Sequence, residues 1–502
     1  MQSPSFPLIP VRDSSATAMV RTSALFVLVA LLCLPWADLS ISTRDPWQEL
    51  ARLGWGLLTP SFDNPLTLLE ALANTLAFAL QGVALGAVGG FLLALGYRRA
   101  AVRRFAAFIR AIHELFWALL FIQLAGLSPA AGVLAIAIPY AGTFAKIYGE
   151  LFEEVDPSAR QALPVGTGAL SAFFFTELPQ CFAHMVTYTR YRLECGIRSS
   201  AVLGFIGLPT VGFHLETALK QGQYSEAAAL FYALVLVIVT LHHWMKKKML
   251  PLYLLAVLVW LPPVAQFNGA LVWRFFSEDI VPAPLRQGWN GEGLWRWLHA
   301  LWSNQIAPGL GNTLVLSLLA LVGTGLVTLL TFPAISHLFG RPVTRAGGHF
   351  FLVLMRSAPE YLLAFVGLLL WGPSMLPAVV ALSLHNGAII AHLVGHYSDS
   401  LQLRDDAVTG VHRYLFEVLP RIYRTFLAFT LYRFEILMRE TAMLGILGIP
   451  TLGFFIDSAF TEFRFDRAML LLLVTALLNM SVDMLARTLR RRLHLSSQPE
   501  SL

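Results

Sequence analysis

Tyr191 to Phe213 reads YRLECGIRSSAVLGFIGLPTVGF, and Tyr432 to Phe454 reads YRFEILMRETAMLGILGIPTLGF, with twelve identities in twenty-three positions and no gap. A match of that length is an internal repeat, and it decides the architecture before any single motif does. Further pairs fall in the same order: Asn74-Thr75-Leu76 with Asn312-Thr313-Leu314, Arg110 and Glu114 with Arg356 and Glu360, and Leu178-Pro179 with Leu419-Pro420. The spacing between blocks drifts by a few residues, as loop insertions would make it do. The chain reads as one unit written twice, residues 1–246 and residues 247–502.

Around the repeat the chain is apolar. Of 502 residues 56% are hydrophobic and 13% charged, against roughly a quarter charged in soluble domains. With a mean hydropathy of +0.64, a set of soluble domains is excluded and an all-α integral membrane protein is expected. Mostly apolar stretches fall near 22–38, 69–96, 105–125, 129–147, 183–213 and 226–244, then near 249–266, 309–334, 348–371, 375–395, 425–454 and 468–486. These make about twelve spans, six to each half. The first run resembles a signal peptide, but its counterpart 249–266 lies in mid-chain, so a retained span is the expectation.

Basic clusters set the sidedness. Arg98, Arg99, Arg103 and Arg104, Lys246 to Lys248, Arg341 and Arg345, and Arg487 with Arg490 to Arg492 fall on one side of such a topology, which places both termini in the cytoplasm. The net charge of +6 lies in these clusters and forms no continuous face for nucleic acid. Segments 39–68 and 267–308 fall on the other side and carry Trp47, Trp55, Trp289, Trp295, Trp297 and Trp302. They read as interfacial helices or, more commonly, anchored loops. An even number of spans between the copies gives parallel halves related by a pseudo-two-fold axis along the membrane normal. A cavity on that axis would be lined by the same helix from each half.

Gly204, Gly207, Pro209 and Gly212, with Gly445, Gly448, Pro450 and Gly453, interrupt apolar helices at matched places. Such breaks fit a gate or substrate path equally with close helix packing. Arg110 with Glu114 and Arg356 with Glu360 stand four apart and are expected to neutralise each other as structural pairs. Arg192, Glu194 and Arg198, with Arg433, Glu435 and Arg439, are expected to brace the loops before the fifth and eleventh spans. His385 and Asn386 are candidates for polar contact with cargo. His392 and His396 have metal-like spacing but no third ligand in view, so no metal is expected. Cys33, Cys181 and Cys195 form no ligand or disulfide pattern, and no nucleophile motif or catalytic cluster is present. The sequence has no Gly-x4-Gly-Lys-Ser/Thr loop, so no ATP site or other cofactor is expected in this chain.

The polar stretches Glu150–Gln180 and His396–Arg421 end alike, in ARQALPVGTGALSAFFFTELPQ and RDDAVTGVHRYLFEVLPR. This resembles the coupling loop of ABC importer permeases. The runs RAIHELFWALLF (Arg110–Phe121), GTFAKIYGE (Gly142–Glu150) and RSSAVLGFIG (Arg198–Gly207) look like the phosphonate-type members of that family. Arg160, Gln161 and Ala162 stand where the family has Glu-Ala-Ala, and Leu208-Pro209-Thr210 and Ile449-Pro450-Thr451 where it has small residues. The resemblance implies two permease units of the type I fold fused in tandem in a bacterial inner membrane. It implies coupling to a cytoplasmic ABC ATPase dimer through Gly166, Leu178, Pro179, Gly410, Leu419 and Pro420, with ATP on that partner. A periplasmic substrate-binding protein and a phosphonate or related oxyanion cargo complete the expectation. The alternative is a twelve-span secondary transporter driven by an ion gradient, which would need deep ion-coupling carboxylates.

Overall fold

The computed structural model describes residues 14–495 apart from 44, 165, 265–267, 287 and 405–408, and no strand forms among the described residues. The first half comprises α1 (Ser14–Cys33), α2 (Pro46–Leu58), α3 (Pro65–Leu95), α4 (Ala100–Ala111), α5 (Glu114–Ala125), α6 (Pro129–Glu153), α7 (Ser158–Gln161), α8 (Ala169–Ala172), α9 (Leu178–Val202), α10 (Val211–Lys220) and α11 (Tyr224–Trp244). The second comprises α12 (Leu250–Trp260), α13 (Gly269–Arg274), α14 (Gly291–Leu301), α15 (Ala307–Thr331), α16 (Pro342–Ser357), α17 (Glu360–Trp371), α18 (Met375–Asp399), α19 (Leu419–Met443), α20 (Leu452–Thr461) and α21 (Phe465–Arg492). From α3 and α15 onward the long helices of the two halves match in order, and the short α7 and α8 have no counterpart among the described residues of the second half.

Among the described residues, seven helices are long and apolar enough to cross a membrane, and eleven if each of four bent pairs counts as one span. Against the expectation of about twelve, the stretch 249–266 is the one not counted among these eleven. That stretch holds only the eleven-residue α12, which is roughly 16 Å long against a hydrocarbon core of about 30 Å; residues 265 and 266 lie outside the described ones. The segment 267–308 is also more ordered than anchored loops, because α14 continues through a π-helical turn at Trp302–Ile306 into α15 as one 44-residue helix.

Two of the bent pairs turn sharply, by 89° between α4 and α5 and by 96° between α16 and α17. Ile112 and His113 are extended, and His113 Nδ1 accepts the N–H of Leu115 at 3.3 Å to start α5. In the second half Ala358 precedes Pro359, and a residue before proline is driven out of the helical region. Arg110 and Glu114 therefore lie on different helices, as do Arg356 and Glu360, and neither expected four-apart pair forms.

The bends between α9 and α10 (51°) and between α19 and α20 (46°) are gentler. Each passes through a short 3₁₀ turn that ends on a left-handed glycine, Gly207 (φ +93°) or Gly448 (φ +88°). The chain then folds back so closely that a Cβ on Gly212 would stand 1.8 Å from the Ala201 carbonyl oxygen, and one on Gly453 1.7 Å from that of Ala442. The repeated Asn-Thr-Leu block clamps this break. Asn74 and Asn312 donate from Nδ2 to the carbonyls of Pro209 (3.0 Å) and Pro450 (2.8 Å). Thr75 and Thr313 accept, at Oγ1, the backbone N–H of Val211 (3.0 Å) and Leu452 (3.1 Å). Backbone groups freed by the break are thereby satisfied inside the bundle, as lipid requires.

Each half lends its first helix to the other. Along α12, the carbonyls of Val257 and Leu261 accept from Gln81 Nε2 of α3 at 2.9 and 2.8 Å, and Trp260 Nε1 donates to Asn74 at 2.8 Å. In return α1 packs on α15 and α19, where Tyr423 donates to Ser23 Oγ at 2.7 Å and the rings of Phe26 and Phe434 stand 5.8 Å apart. The ring of Phe205 lies 4.1 Å from that of Tyr361 across the seam between halves.

Candidate functional site

A cavity of about 240 Å³ lies at the seam between the halves, walled mainly by α9 and α19, with α6, α18 and the starts of α5 and α17. Its polar lining comes in matched pairs: Arg192 with Arg433, Arg198 with Arg439, Tyr191 with Tyr432, and Glu114 with Glu360. Pairing follows from the repeat, because equivalent helices meet their counterparts at a two-fold seam. Four guanidinium groups in so small a space need neighbours, since an ion in lipid costs about 2.5–3.5 kcal/mol or more.

Each arginine is held differently. Arg192 donates from Nε to the Tyr188 hydroxyl at 2.8 Å and lies over the rings of Tyr140 and Tyr188 at 5.6 and 5.5 Å. Arg198 donates to the Arg356 carbonyl at 2.8 Å, and Arg439 reciprocally to the Arg110 carbonyl at 3.0 Å. Both carbonyls are near the sharp bends, where helix ends leave acceptors free. Arg433 forms no ion pair among the described residues. Facing them, Ser199 donates to Glu114, and Tyr140 and Ser199 share a hydroxyl contact of 3.3 Å.

His385 and Asn386 are both buried. His385 lines the cavity with Nδ1 at 3.0 Å from the Ala358 carbonyl and 3.2 Å from that of Met355, so this nitrogen carries the hydrogen. Its Nε2 faces Glu360 at 3.7 Å. Asn386 reaches the site through Glu440, donating from Nδ2 to Oε2 at 2.8 Å. Ligand atoms of Glu360, His385 and Glu440 lie within 4.8 Å of one another. Glu440 occupies the place of Ser199 in the repeat, so the second wall is more acidic than the first.

The expected bracing of loops by Arg192, Glu194, Arg198, Arg433, Glu435 and Arg439 is corrected: these residues sit well inside α9 and α19. Glu435 instead pairs with Arg110 of the other half, and Asp483 on α21 takes the second guanidinium nitrogen at 2.6 Å. Arg487 also reaches Asp483, at 2.7 Å. The equivalent place in the first half is a cavity of about 410 Å³ bordered by Arg356, Glu194 and His242. Asp483 was not foreseen because α21 lies outside every matched sequence block. None of the eight glycine and proline positions at the helix breaks borders the central cavity.

The residues expected to couple to an ATPase lie before and at the entries to α9 and α19. Gly166 and Gly410 have positive φ, and Pro179 and Pro420 sit in the first helical turn, where a missing N–H costs nothing. Leu178 and Leu419 pack against the cores of their halves. Between glycine and proline each copy forms a π-helical turn, Phe173–Glu177 and Arg413–Val418. These turns and the residues before them expose Leu170, Phe174 and Phe175 in one copy and Val411, Leu415 and Phe416 in the other, with Phe175 81% and Phe416 72% accessible. The aromatic run in the sequence was the signal for this surface. Arg160 pairs with Glu177, and Ser158 donates N–H and Oγ–H to Asp156 at 2.9 and 2.8 Å, which holds the Asp156 carboxyl below its ordinary range. In the second copy, Asp405, Asp406, Ala407 and Val408 lie outside the described residues. His392 and His396, expected to lack a third partner, are met by His349 of α16.

Residues 82–245 match the family described as binding-protein-dependent transport system inner membrane component. Over 482 residues, 87% of this chain and 88% of the relative, the sequence is 24% identical to the phosphate-import permease protein PhnE of Mycolicibacterium smegmatis. It is 27% identical over 203 residues, 38% of this chain and 74% of the relative, to the phosphite transport system permease protein PtxC of Stutzerimonas stutzeri. A putative cryptic phosphonate transport system permease protein, PhnE2 of Escherichia coli, is 30% identical over 109 residues, 22% of this chain and 87% of that protein. No solved structure matches the chain.

Proposed function

Because the chain belongs to the family of binding-protein-dependent transport permeases, as two such units in tandem, we propose that its seam cavity is the translocation path for phosphonate, phosphite, phosphate or a related oxyanion. The observation that carries this reading is the set of four arginines, Arg192, Arg198, Arg433 and Arg439, converging from both halves on one cavity. Guanidinium is the planar donor suited to tetrahedral oxyanions, and the tyrosine and serine hydroxyls add neutral donors. Glu114, Glu360 and Glu440 counterbalance the arginines when cargo is absent and keep binding weak enough for release. The cavity carboxylates Glu114, Glu360 and Glu440 are of the kind a secondary transporter would need, but the family match favours the binding-protein-dependent permease over that alternative.

Power comes from ATPase subunits outside this chain. Each exposed aromatic turn continues without a break into the helix that carries two cavity arginines, as Ala169–Ile206 and as Gly410–Leu447. A dimeric ATPase docked on Phe175 and Phe416 would move both helices together on ATP binding and open the cavity alternately to each side. The same reading places the chain in a bacterial inner membrane, the halves in like orientation, both termini and the coupling turns in the cytoplasm, and a substrate-binding protein on the far face.

The test is uptake of labelled oxyanion into proteoliposomes holding the permease with its ATPase and binding protein. Arg433→Gln is expected to lower uptake at least about tenfold, roughly 1.4 kcal/mol, in a complex that still assembles. Unchanged uptake, or uptake that persists with a catalytically dead ATPase and follows a proton or sodium gradient, overturns the reading.

A further inference from the structure

Away from the seam, α16 brings His349 to the pair His392 and His396 on α18. Their rings are separated by 5.9 Å (His349–His392), 5.8 Å (His349–His396) and 4.6 Å (His392–His396). One nitrogen from each lies within 4.8 Å of the others. His349 and His392 are half-buried and His396 is exposed, so the set is anchored on two sides and open on the third. Histidines four apart project from one helix face, and a third from a packed neighbour completes three legs of a tetrahedron.

The scaffold does not require histidine at these places. At the interval that separates Arg110 from Arg356, the first half carries Arg103, Lys146 and Glu150, on the equivalent helices α4 and α6. The three imidazoles belong to the second half alone. Asp399, one turn beyond His396, adds negative charge to this end of α18, where it accepts from Ser336 Oγ at 2.7 Å and the His337 N–H at 2.9 Å. Arg345 and Arg356 on α16 oppose a cation, which favours an ion that gains from coordinate bonds to neutral nitrogen over one held by charge alone.

We propose that His349, His392 and His396 bind a Zn²⁺ ion, with the fourth position open to water. Zinc–nitrogen bonds of about 2.0–2.1 Å set ligand nitrogens about 3.3 Å apart, so the three rings turn inward from their present spacing of up to 4.8 Å as the ion binds. The ion bolts α16 to α18 immediately before α18 runs out into the second coupling segment.

The test uses the full chain, purified without a histidine tag, stripped with chelator and dialysed against Zn²⁺ or Co²⁺. Wild type is expected to retain one Zn²⁺ per chain and to give the visible bands of tetrahedral Co²⁺. His349→Gln and His392→Gln are each expected to weaken binding at least about tenfold, while His184→Gln, on α9 outside the set, binds as wild type does. Zinc should raise the melting temperature of wild type and leave that of His349→Gln unmoved, while the metal-free melting temperatures of the two agree. No stoichiometric zinc in wild type, zinc retained by the His349→Gln/His392→Gln double variant, or octahedral Co²⁺ bands overturns the proposal.

Discussion

A guanidinium buried between helices in lipid needs polar partners, and Arg110 has two carboxylates, Glu435 and Asp483, both from the other half. Removing one partner of such a buried network typically costs 3–5 kcal/mol. Arg110→Gln is therefore expected to lower the melting temperature of the detergent-solubilised chain clearly more than Arg356→Gln, whose equivalent place is an open cavity. Equal effects from the two would show that the cross-half network does not hold the seam. The spacing of Arg110 and Glu114 pointed to a pair on one helix, and the bend at Ile112 and His113 separates them. Gly453 makes a second case. A methyl there would overlap the Ala442 carbonyl oxygen at 1.7 Å, so Gly453→Ala should destabilise by about 1–3 kcal/mol or more and reduce folded yield, measured as the monodisperse fraction after solubilisation. An unaltered yield and melt would refute this close approach.

At the scale of elements, in the proposed function the long helices that begin in the exposed aromatic turns join docking to transport. Phe175 and Phe416 occupy equivalent places in the repeat and are the most exposed aromatics of their turns. Residues that anchor an interface commonly contribute about 2 kcal/mol. Phe416→Ser is thus expected to weaken ATPase binding roughly thirtyfold without changing the melt of the isolated chain, and Phe175→Ser to act likewise. Pull-down of the ATPase against variant permease reads the difference; undiminished capture by the double variant would place docking elsewhere. The Asn-Thr-Leu clamp was visible in the sequence only as a recurring triplet. Its purpose, satisfying the break between α9 and α10, needed the tertiary distance from Asn74 to the Pro209 carbonyl.

Over the whole molecule, the exchange of first helices ties the halves into one body. Ser23 on α1 and Tyr423 on α19 meet at 2.7 Å although 400 residues apart in sequence, so α1 should remain in the mature chain and Tyr423→Phe should lower its melting temperature. An unchanged melt, with the N-terminal residues missing from the intact mass of the mature chain, would mean that the first apolar run is cleaved as a signal. Labelling of single cysteines near Gly166 and Gly410 should find both on one side of the membrane; opposite sides would overturn the like orientation of the halves. Apolar periodicity and an ungapped repeat are local and additive, so the sequence by itself determined a helical membrane protein built of two equivalent units. Which charges meet is a matter of distance across the seam. Only the packed bundle decided that the arginines of α9 and α19 share one cavity, that Arg110 finds Glu435 and Asp483, and that His349 joins His392 and His396, because helix bends and exchanged helices set those distances and no spacing along the chain encodes them.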